Sequence, residues 1–558
     1  MTGHRPPTSP NSAAKAYARR AGARDPHGLD GATKQLLTYI FTEHLPAFPD
    51  VEAAQFASLP APDGVDRISL LPDALLHNIV SRLFVTEAAR TAVLASRWRR
   101  VWLSTPLVLS DAYISPSGGS PPITDSVSYI LEAHPGPFRC VHLVSSRMDA
   151  YQAQLARWLE LLAAKGVKDL VLLNRSLLLD VPLPTLAAKG AQLARWLELL
   201  AAKGVKELVL LNRSLLLDVP LPTTLFSVTT LTLLFIGLWK FPDVARLPRG
   251  TSFPHLLELG ICSVVLEDGD IEAVVARSPI LEVLSVQGSN KGLRLRLVSQ
   301  SIRCVQICGA VTESITVVKA PRLDRLLLEG PRGNTGGLCT RVIIGDAPKL
   351  HTLGELEPGN QIVETRDVVA GIKASPSTMV TSVKILSLNV CFGNHNQVKM
   401  VPTFLRYFPN LETLHILSGK CDFQAGTARL NLKFWELAKP TENVMSCVKV
   451  LHFREFRGEI GEVAFLKFFF RSARALESAT VAMANPSYTP FCTHEAFARV
   501  RQAAEKKGSK STKLGVFGST GPEGGNRLSF RRGADYFLDD PFSGVQILNG
   551  DEEILQHF

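Results

Sequence analysis

The sequence predicts an α/β protein in which a short N-terminal helical unit is followed by a curved solenoid of stacked repeats. Three observations lead to this class. Apolar residues recur at helical spacing between Leu70 and Trp102, a strand-like apolar motif returns about every 21 to 29 residues over most of the remaining chain, and proline precedes several copies of that motif. With 46% hydrophobic residues among 558, the chain has ample material for a core.

Residues 1–64 mix Pro, Ala, Gly and Arg around one short apolar stretch, so this arm is predicted to be largely disordered. Its first residues lack the apolar centre of a secretory signal, and the sequence contains no run of 18 or more apolar residues such as a membrane helix needs. We therefore expect a protein of the nucleus and/or the cytoplasm with no membrane partner.

The net charge of +10 is spread along the chain, and its densest clusters, at 97–100 and 505–513, are short. Aromatic residues do not alternate with them as a stacking platform requires, so a nucleic acid partner is not expected. The nine cysteines stand singly, and the one close pair, Cys304 and Cys308, has no second pair at zinc-site spacing. We predict reduced, buried thiols, with neither a metal nor a cofactor.

Three helices are predicted between Leu70 and Trp102. Pro72 suits the first turn of the first helix, and Thr86 is expected to cap the second. Because a unit below roughly 40 residues rarely sustains a core, these helices need a partner surface, either another protein or the end of the repeats, which needs a cap. The first helix carries the stripe Leu75, Leu76, Ile79, Val80 and Leu83, and the third carries Trp98, Val101 and Trp102.

The rest of the chain repeats the motif apolar-x-x-apolar-x-apolar, which is the pattern of leucine-rich repeats. Each copy predicts a short strand and a return segment that packs behind it, and the copies must stack because none buries its own apolar face. Asp270, for example, is expected to cap a helix that Pro279 ends. Copies begin at Phe138, Val167, Val205, Leu231, Leu256, Leu281, Ile302, Leu323, Val383, Leu411 and Val448.

One repeat occurs twice. Residues 153–185 and 191–223 are identical except for Asp169 against Glu207. Ordinary repeats share only their apolar skeleton, so this identity indicates a recent duplication or an error in the gene model. A solenoid can accept such an insertion because its stability is roughly a sum over neighbouring repeats.

Two segments resemble known families. Residues 68–106, "ISLLPDALLHNIVSRLFVTEAARTAVLASRWRRVWLSTP", resemble the F-box of the plant F-box/leucine-rich-repeat proteins, from the Leu71-Pro72 start to the ending with its two tryptophans. Residues 447–483 are similar to the FBD region that closes many of those chains, with a strand, a short turn, an apolar helix and a last strand. At Phe84 the F-box family usually has proline, and the change predicts a looser turn.

The resemblance implies a protein without catalytic chemistry of its own. F-box proteins of this kind bind a Skp-family adaptor, which sits on a cullin-RING ubiquitin ligase, while their repeats bind a protein substrate. Carried over to this sequence, the residues that form or support the adaptor-facing surface are Leu71, Pro72, Leu75, Leu76, Ile79, Leu83, Val93, Leu94, Trp98 and Trp102.

The expected function is that of a non-catalytic substrate-recognition subunit of a Skp-cullin-F-box ubiquitin ligase, and the alternative is a leucine-rich-repeat scaffold with no ligase role. The sequence lacks the HExxH, GxSxG, P-loop and CxxC motifs of common catalytic and metal sites. The expected domains are an arm at 1–64, the F-box at 65–106, leucine-rich repeats at 125–445, an FBD-like end of the solenoid at 446–483 and a C-terminal extension at 484–558.

Overall fold

A computed structural model describes most of the chain between Ile68 and Ser543, and the arm predicted to be disordered lies outside the described residues. The chain divides into two compact units, the first made mainly of residues up to Leu281 and the second mainly of residues 291–558 with 282–287. The described residues are 68, 70–111, 114, 122–144, 152–174, 183–212, 220–244, 247, 250–288, 292–330, 339–365, 379–420, 434–435, 446–488, 490–505, 512–518 and 530–543.

The described part of the first unit begins with three short helices, α1 (Asp73–Val80), α2 (Val85–Thr91) and α3 (Ser96–Ser104). Pro72 is the residue that precedes α1. The prediction that Thr86 caps α2 is wrong, because the helix begins one residue earlier and is preceded by an extended Phe84.

Phe84 fixes the turn before α2 by packing. Its side chain is 9% exposed and forms a small core cluster with Val108 and Cys140. Its backbone also makes a parallel bridge to Val108. The looser turn predicted from the missing proline is therefore not seen, because a buried aromatic ring ties this turn to the first strand.

Parallel strands follow the helices, and each pairs with the next in sequence order. They are β1 (Leu107–Ser110), β2 (Phe138–Leu143), β3 (Asp169–Asn174), β4 (Glu207–Asn212), β5 (Leu233–Gly237) and β6 (Glu258–Cys262). Helical connections include α4 (Ile123–Ala133), α5 (Gln152–Ala164), α6 (Leu183–Lys203) and, after β6, α7 (Asp270–Ala276).

The strand motif works as predicted in this unit, because its apolar positions form the core. Leu234 and Ile236 of β5 are 2% and 0% exposed. Asp270, however, is the first residue of α7 and not its cap: Gly269 occupies the cap position with a positive φ, and the Asp270 carboxylate accepts a hydrogen bond from the Glu267 amide.

The duplicated segments form two neighbouring helix-plus-strand repeats. Their strands pair in register, so that Asp169 lies beside Glu207, the one position at which the copies differ. Burial and the Asp169 charge raise the pKa of Glu207 to about 7. The environments of the helices differ: Trp158 is 1% exposed and donates to Ser128 Oγ, whereas its equivalent Trp196 is only half-buried.

Deleting residues 153–190 is expected to leave a folded protein. The second copy then follows Gln152, and Trp196 and Lys203 take the places of Trp158 and Lys165, which bonds to the carbonyl of His134. The melting temperature should be equal to or above that of the full chain, because the deletion also removes Asp169, whose carboxylate lies beside that of Glu207 on the neighbouring strand. Scanning calorimetry measures this, and an insoluble deletion product from a soluble parent would contradict it.

The second unit contains two parallel sheets. Its larger set of strands pairs in the order given: β7 (Val283–Gln287), β9 (Cys304–Cys308), β11 (Arg325–Glu329), β13 (Thr352–Leu356), β15 (Ile385–Val390), β16 (Thr413–Ser418), β17 (Val450–Phe456), β18 (Ser478–Met483) and β19 (Lys513–Phe517). The smaller sheet consists of β8 (Leu293–Val298), β10 (Thr312–Lys319), β12 (Thr340–Asp346) and β14 (Gln361–Thr365). Return segments here include strands as well as helices such as α8 (His395–Tyr407).

The FBD-like stretch contains β17, the helix α9 (Ile460–Ser472) and β18. The sheet does not end there as predicted. After the helix α10 (Thr493–Ala504), β19 pairs with β18 along its full length, from Ser478 against Lys513 to Ala482 against Phe517. The C-terminal extension therefore supplies a further strand. This strand covers the edge of β18, which would otherwise be unpaired.

The cysteine prediction is correct in part. Cys140, Cys262, Cys304 and Cys308 are buried thiols. Cys339 and Cys492 are exposed, Cys447 is partly exposed and Cys391 is disulfide-bonded, so the prediction of reduced, buried thiols is wrong for these four.

Candidate partner-binding surfaces

The three N-terminal helices present an unusual concentration of exposed apolar side chains, here called the helical apolar surface. It consists of Ile68 (57% exposed), Leu70 (76%), Leu75 (51%), Ile79 (41%), Val93 (85%) and Leu94 (67%). In the described part of the chain, no other stretch of this length exposes so many large apolar residues. A concentration of exposed apolar residues of this kind is typical of an interaction site.

The apolar stripe of α1 is divided between inside and outside. Leu76 and Val80 are fully buried, whereas Leu75 and Ile79, one residue earlier in each turn, are exposed. A stripe wide enough to cover both sides of the helix is more than the fold of this unit uses. The exposed half is therefore available to a partner.

The ten residues predicted for the adaptor surface fall into three groups. Leu75, Ile79, Val93, Leu94 and Pro72 are exposed. Leu71, Leu83 and Trp102 are half-buried. Leu76 and Trp98 are buried, so their place is beneath the surface, where they support it.

Polar contacts hold the helices in one arrangement. The Arg97 guanidinium on α3 donates to the Asp73 carboxylate at 2.8 Å and to the Leu71 carbonyl, which joins α3 to the start of α1. His77 Nδ1 and Thr105 Oγ1 lie 2.7 Å apart. One arginine of the basic cluster at 97–100 therefore has a structural role.

Trp102 connects the helices to the first repeat. Its ring meets that of His134 edge to face, with centroids 4.9 Å apart, and its carbonyl lies 3.0 Å from His134 Nε2. Burial lowers the pKa of His134, so the ring is neutral in this packed position. Trp102 thus attaches the helices that carry the helical apolar surface to the first repeat by packing and by a hydrogen bond.

A second surface lies in the other unit, on the side of β9, β11 and β16 that faces away from the buried motif residues, here called the strand face. Because side chains alternate along a strand, Gln306, Arg325 and His415 lie on this side while their motif neighbours lie in the core. All three are nevertheless buried, at 0%, 3% and 0% exposed.

The chain itself covers the strand face. Residues 530–543, here called the C-terminal strap, include a five-residue helix, α11 (Phe530–Ala534), and then a series of turns. Arg325 donates from its guanidinium to the carbonyls of Arg532, Gly533, Asp535 and Leu538.

Further contacts fix the strap in its middle and near its C-terminal end. In the middle, the Tyr536 ring stacks on the Arg303 guanidinium at 3.6 Å and also faces Arg325 at 5.1 Å. Near the C-terminal end, Asp540 Oδ2 lies 2.8 Å from His415 Nε2, and the Phe542 ring packs on His415. Burial lowers the pKa of His415, so a neutral imidazole donates this hydrogen bond to the Asp540 carboxylate.

Among the described residues, His415, His452 and Asp540 form the group with metal-ligating potential, since their ligand atoms lie within 4.8 Å of one another. The two imidazole rings are stacked with centroids 4.6 Å apart, and burial lowers the pKa of His452 to about 4. The group as built is a histidine stack with one acidic partner, which closes the strap on the sheet.

Comparisons with known proteins support the repeat and FBD resemblances. Residues 193–416 match the family model for the leucine-rich repeats of the FBD-associated F-box protein At5g56370, and residues 438–481 match the FBD model. None of these matches is to a catalytic family. Among the described helices, none combines the length and apolar character needed to cross a membrane.

The names of relatives in Arabidopsis thaliana combine F-box with FBD, with LRR-repeat or with both. The chain is 37% identical over 112 residues to the F-box/FBD/LRR-repeat protein At1g13570, covering 19% of this chain and 27% of the relative. It is 27% identical over 392 residues to the FBD-associated F-box protein At5g22720, covering 62% and 73%. It is 49% identical over 49 residues to the F-box/LRR-repeat protein At5g02910, covering 9% and 11%.

These matches define a mixed helix and strand protein with leucine-rich repeats. The chain is a plant F-box/leucine-rich-repeat protein with an FBD region, so the resemblance seen in the sequence is confirmed. The alignments reach about a quarter of the length of the first of these relatives and about three quarters of the second.

Proposed function

We propose that this protein is the substrate-recognition subunit of a Skp-cullin-F-box ubiquitin ligase of the nucleus and/or the cytoplasm. In this proposal residues 65–106 form an F-box that binds a Skp-family adaptor, and the repeats stack into a curved solenoid that binds a protein substrate. No bond is made or broken by this chain, which brings the substrate and the ligase together.

The observation that carries the proposal is the helical apolar surface. Six large apolar side chains between Ile68 and Leu94 are exposed on α1 and in the turns before α1 and after α2, while Leu76 and Trp98 make the internal contacts. At roughly 25 cal/mol per Å², leaving such side chains in water is costly, and covering them stabilises a complex. The names of the relatives include "F-box", which favours an adaptor as the cover.

Co-purification with a Skp-family adaptor tests the proposal. The full chain should retain the adaptor, and the double variant Leu71→Ala and Pro72→Ala should lose most of it, because these residues begin the surface and α1. Leu257→Ala is a suitable control, since Leu257 is 40% exposed but lies in a repeat. If the double variant captures the adaptor as well as the full chain does, the helical apolar surface is not the adaptor-binding site.

A leucine-rich-repeat scaffold without a ligase role is the alternative. It predicts that no Skp-family adaptor accompanies the chain and that the helices only cap the repeats. Absence of the adaptor from purified full-length protein, under conditions in which the repeats stay folded, would favour the scaffold.

A further inference from the structure

The strand face is unusual because its side chains are those of a binding surface. Arg303, Arg325 and the two histidines His415 and His452 give it positive or hydrogen-bonding character along one line of the sheet. Burial lowers the pKa of both histidines, so the two arginines carry the charge of this line. Such a line fits a segment that offers carbonyl and carboxylate oxygens and an aromatic ring. The strap offers all three, in the carbonyls that Arg325 binds, in Asp540 and in Tyr536.

The strap is held by few groups. Arg325 binds four backbone carbonyls, which any peptide offers. The side chains that add specificity are Tyr536 on Arg303, and Asp540 and the buried Phe542 on His415. Phe537, between these two, is 100% exposed and Asp539 is exposed. The strap is therefore a single layer held by an aromatic residue, a carboxylate four positions later and the buried Phe542 two positions after that.

The strap contributes no strand to the sheet that it covers, so the strand pairing there does not depend on it. Its described part has one helix of five residues, and the backbone carbonyls of its turns are bonded mainly by one side chain. Elements with few packed apolar contacts open at a lower free energy than the core they cover. The strand face can thus exchange one occupant for another.

We propose that the C-terminal strap occupies in cis a peptide-binding site on the strand face, and that a segment of another protein with an aromatic residue four positions before a carboxylate displaces it in trans. The inference rests on the proposed function only in naming that segment as part of the substrate. It makes the strap a competitor that reduces the apparent affinity for every weaker ligand.

The experiment uses a fluorescently labelled peptide with the sequence of residues 530–543, added to the full-length chain and followed by anisotropy. The wild-type protein should bind it weakly, because the site is filled. The variant Tyr536→Ala with Asp540→Ala, whose own strap is weakened, should bind it roughly tenfold tighter or more. Adding Arg303→Ala to that variant should remove most of the gain, since Arg303 stacks on the peptide tyrosine.

Phe537→Ala is the matched control, because it removes a neighbouring but fully exposed aromatic residue of the strap and should behave as the wild type. A peptide with alanine in place of its tyrosine and fourth-following aspartate should not bind. Equal peptide affinity in the wild-type and double-variant proteins, or a gain that survives Arg303→Ala, would overturn the proposal.

If the double variant proves unstable, Asp540→Asn keeps the shape of the strap and weakens the bonds of this side chain to His415 and to the Phe542 amide, and a smaller gain in the same direction is then expected. The assay contains no adaptor. If the protein fails to capture the adaptor but exchanges the peptide as expected, the ligase role is wrong and the strap site stands. If it captures the adaptor but does not exchange the peptide, only the strap site is wrong.

Discussion

Replacing Leu75 and Ile79 by aspartate is expected to abolish adaptor binding without unfolding the protein. Both side chains lie on the outer side of α1, at 51% and 41% exposed, so their replacement removes little internal packing. In a complex the two carboxylates would be buried without partners, which is costly. The loss should be roughly thirtyfold or more, corresponding to about 2 kcal/mol for disrupting a hot spot.

Isothermal calorimetry with a purified Skp-family adaptor measures this loss. The matched control is Leu257→Asp with Ile280→Asp, two apolar residues of the same unit at 40% and 42% exposed that lie in the repeats. The control pair should bind as the wild type does. If the α1 variant keeps its circular-dichroism spectrum and also keeps its affinity, the adaptor does not bind the helical apolar surface.

The repeats could be predicted because each strand places its apolar residues at fixed positions that are buried whatever the neighbours are. The strand β13 was missed because Glu355 stands where the motif expects an apolar residue, although Leu350 and Leu353 precede it in register. Glu355 is buried in an ion pair with Arg454, a partner 99 residues away. A pattern of neighbouring residues cannot predict an ion pair between side chains so far apart in the sequence.

The smaller sheet of the second unit did leave a signal in the sequence. Leu293, Leu295 and Leu297 of β8 alternate with exposed residues, which is the period of a strand with one face buried. This period of two differs from the spacing of the repeat motif, so the motif does not predict these strands. The four strands are joined to one another by pairing between successive repeats, as in the main set.

The sequence predicted a single apolar stripe on α1 and not its division into a buried and an exposed half, because helical spacing cannot tell which side of a helix a neighbouring element covers. The strap could not be predicted at all. Its bonds join Arg325 to residues more than 200 positions later in the chain, such as Leu538 at a separation of 213. Its sequence, with three acids and no apolar period, is typical of an exposed tail.

The aromatic core of the FBD-like stretch carries the second large effect. Phe465 on α9 is fully buried, with ring centroids 5.4 Å from Phe392 and 5.3 Å from Trp435. Phe465→Ala is expected to cost about 3 to 5 kcal/mol, because truncating a buried aromatic residue leaves a cavity. Ile460→Ala is the control, since Ile460 begins the same helix at 64% exposed and should change stability by about 0.5 kcal/mol or less.

Removing residues 446–558 is expected to have a larger effect than any single substitution. The truncation deletes α9, which covers Phe392, and it leaves β16 as an unpaired strand edge from Thr413 to Ser418. The lost aromatic contacts are comparable with much of a domain's net stability of roughly 5 to 15 kcal/mol, and an open apolar edge promotes association between chains. Light scattering should show aggregates of the truncated chain at concentrations at which the full chain is monomeric. A monomeric truncated product with an unchanged circular-dichroism spectrum per residue, together with independent folding of 446–558, would show instead that the FBD-like stretch is a separate module.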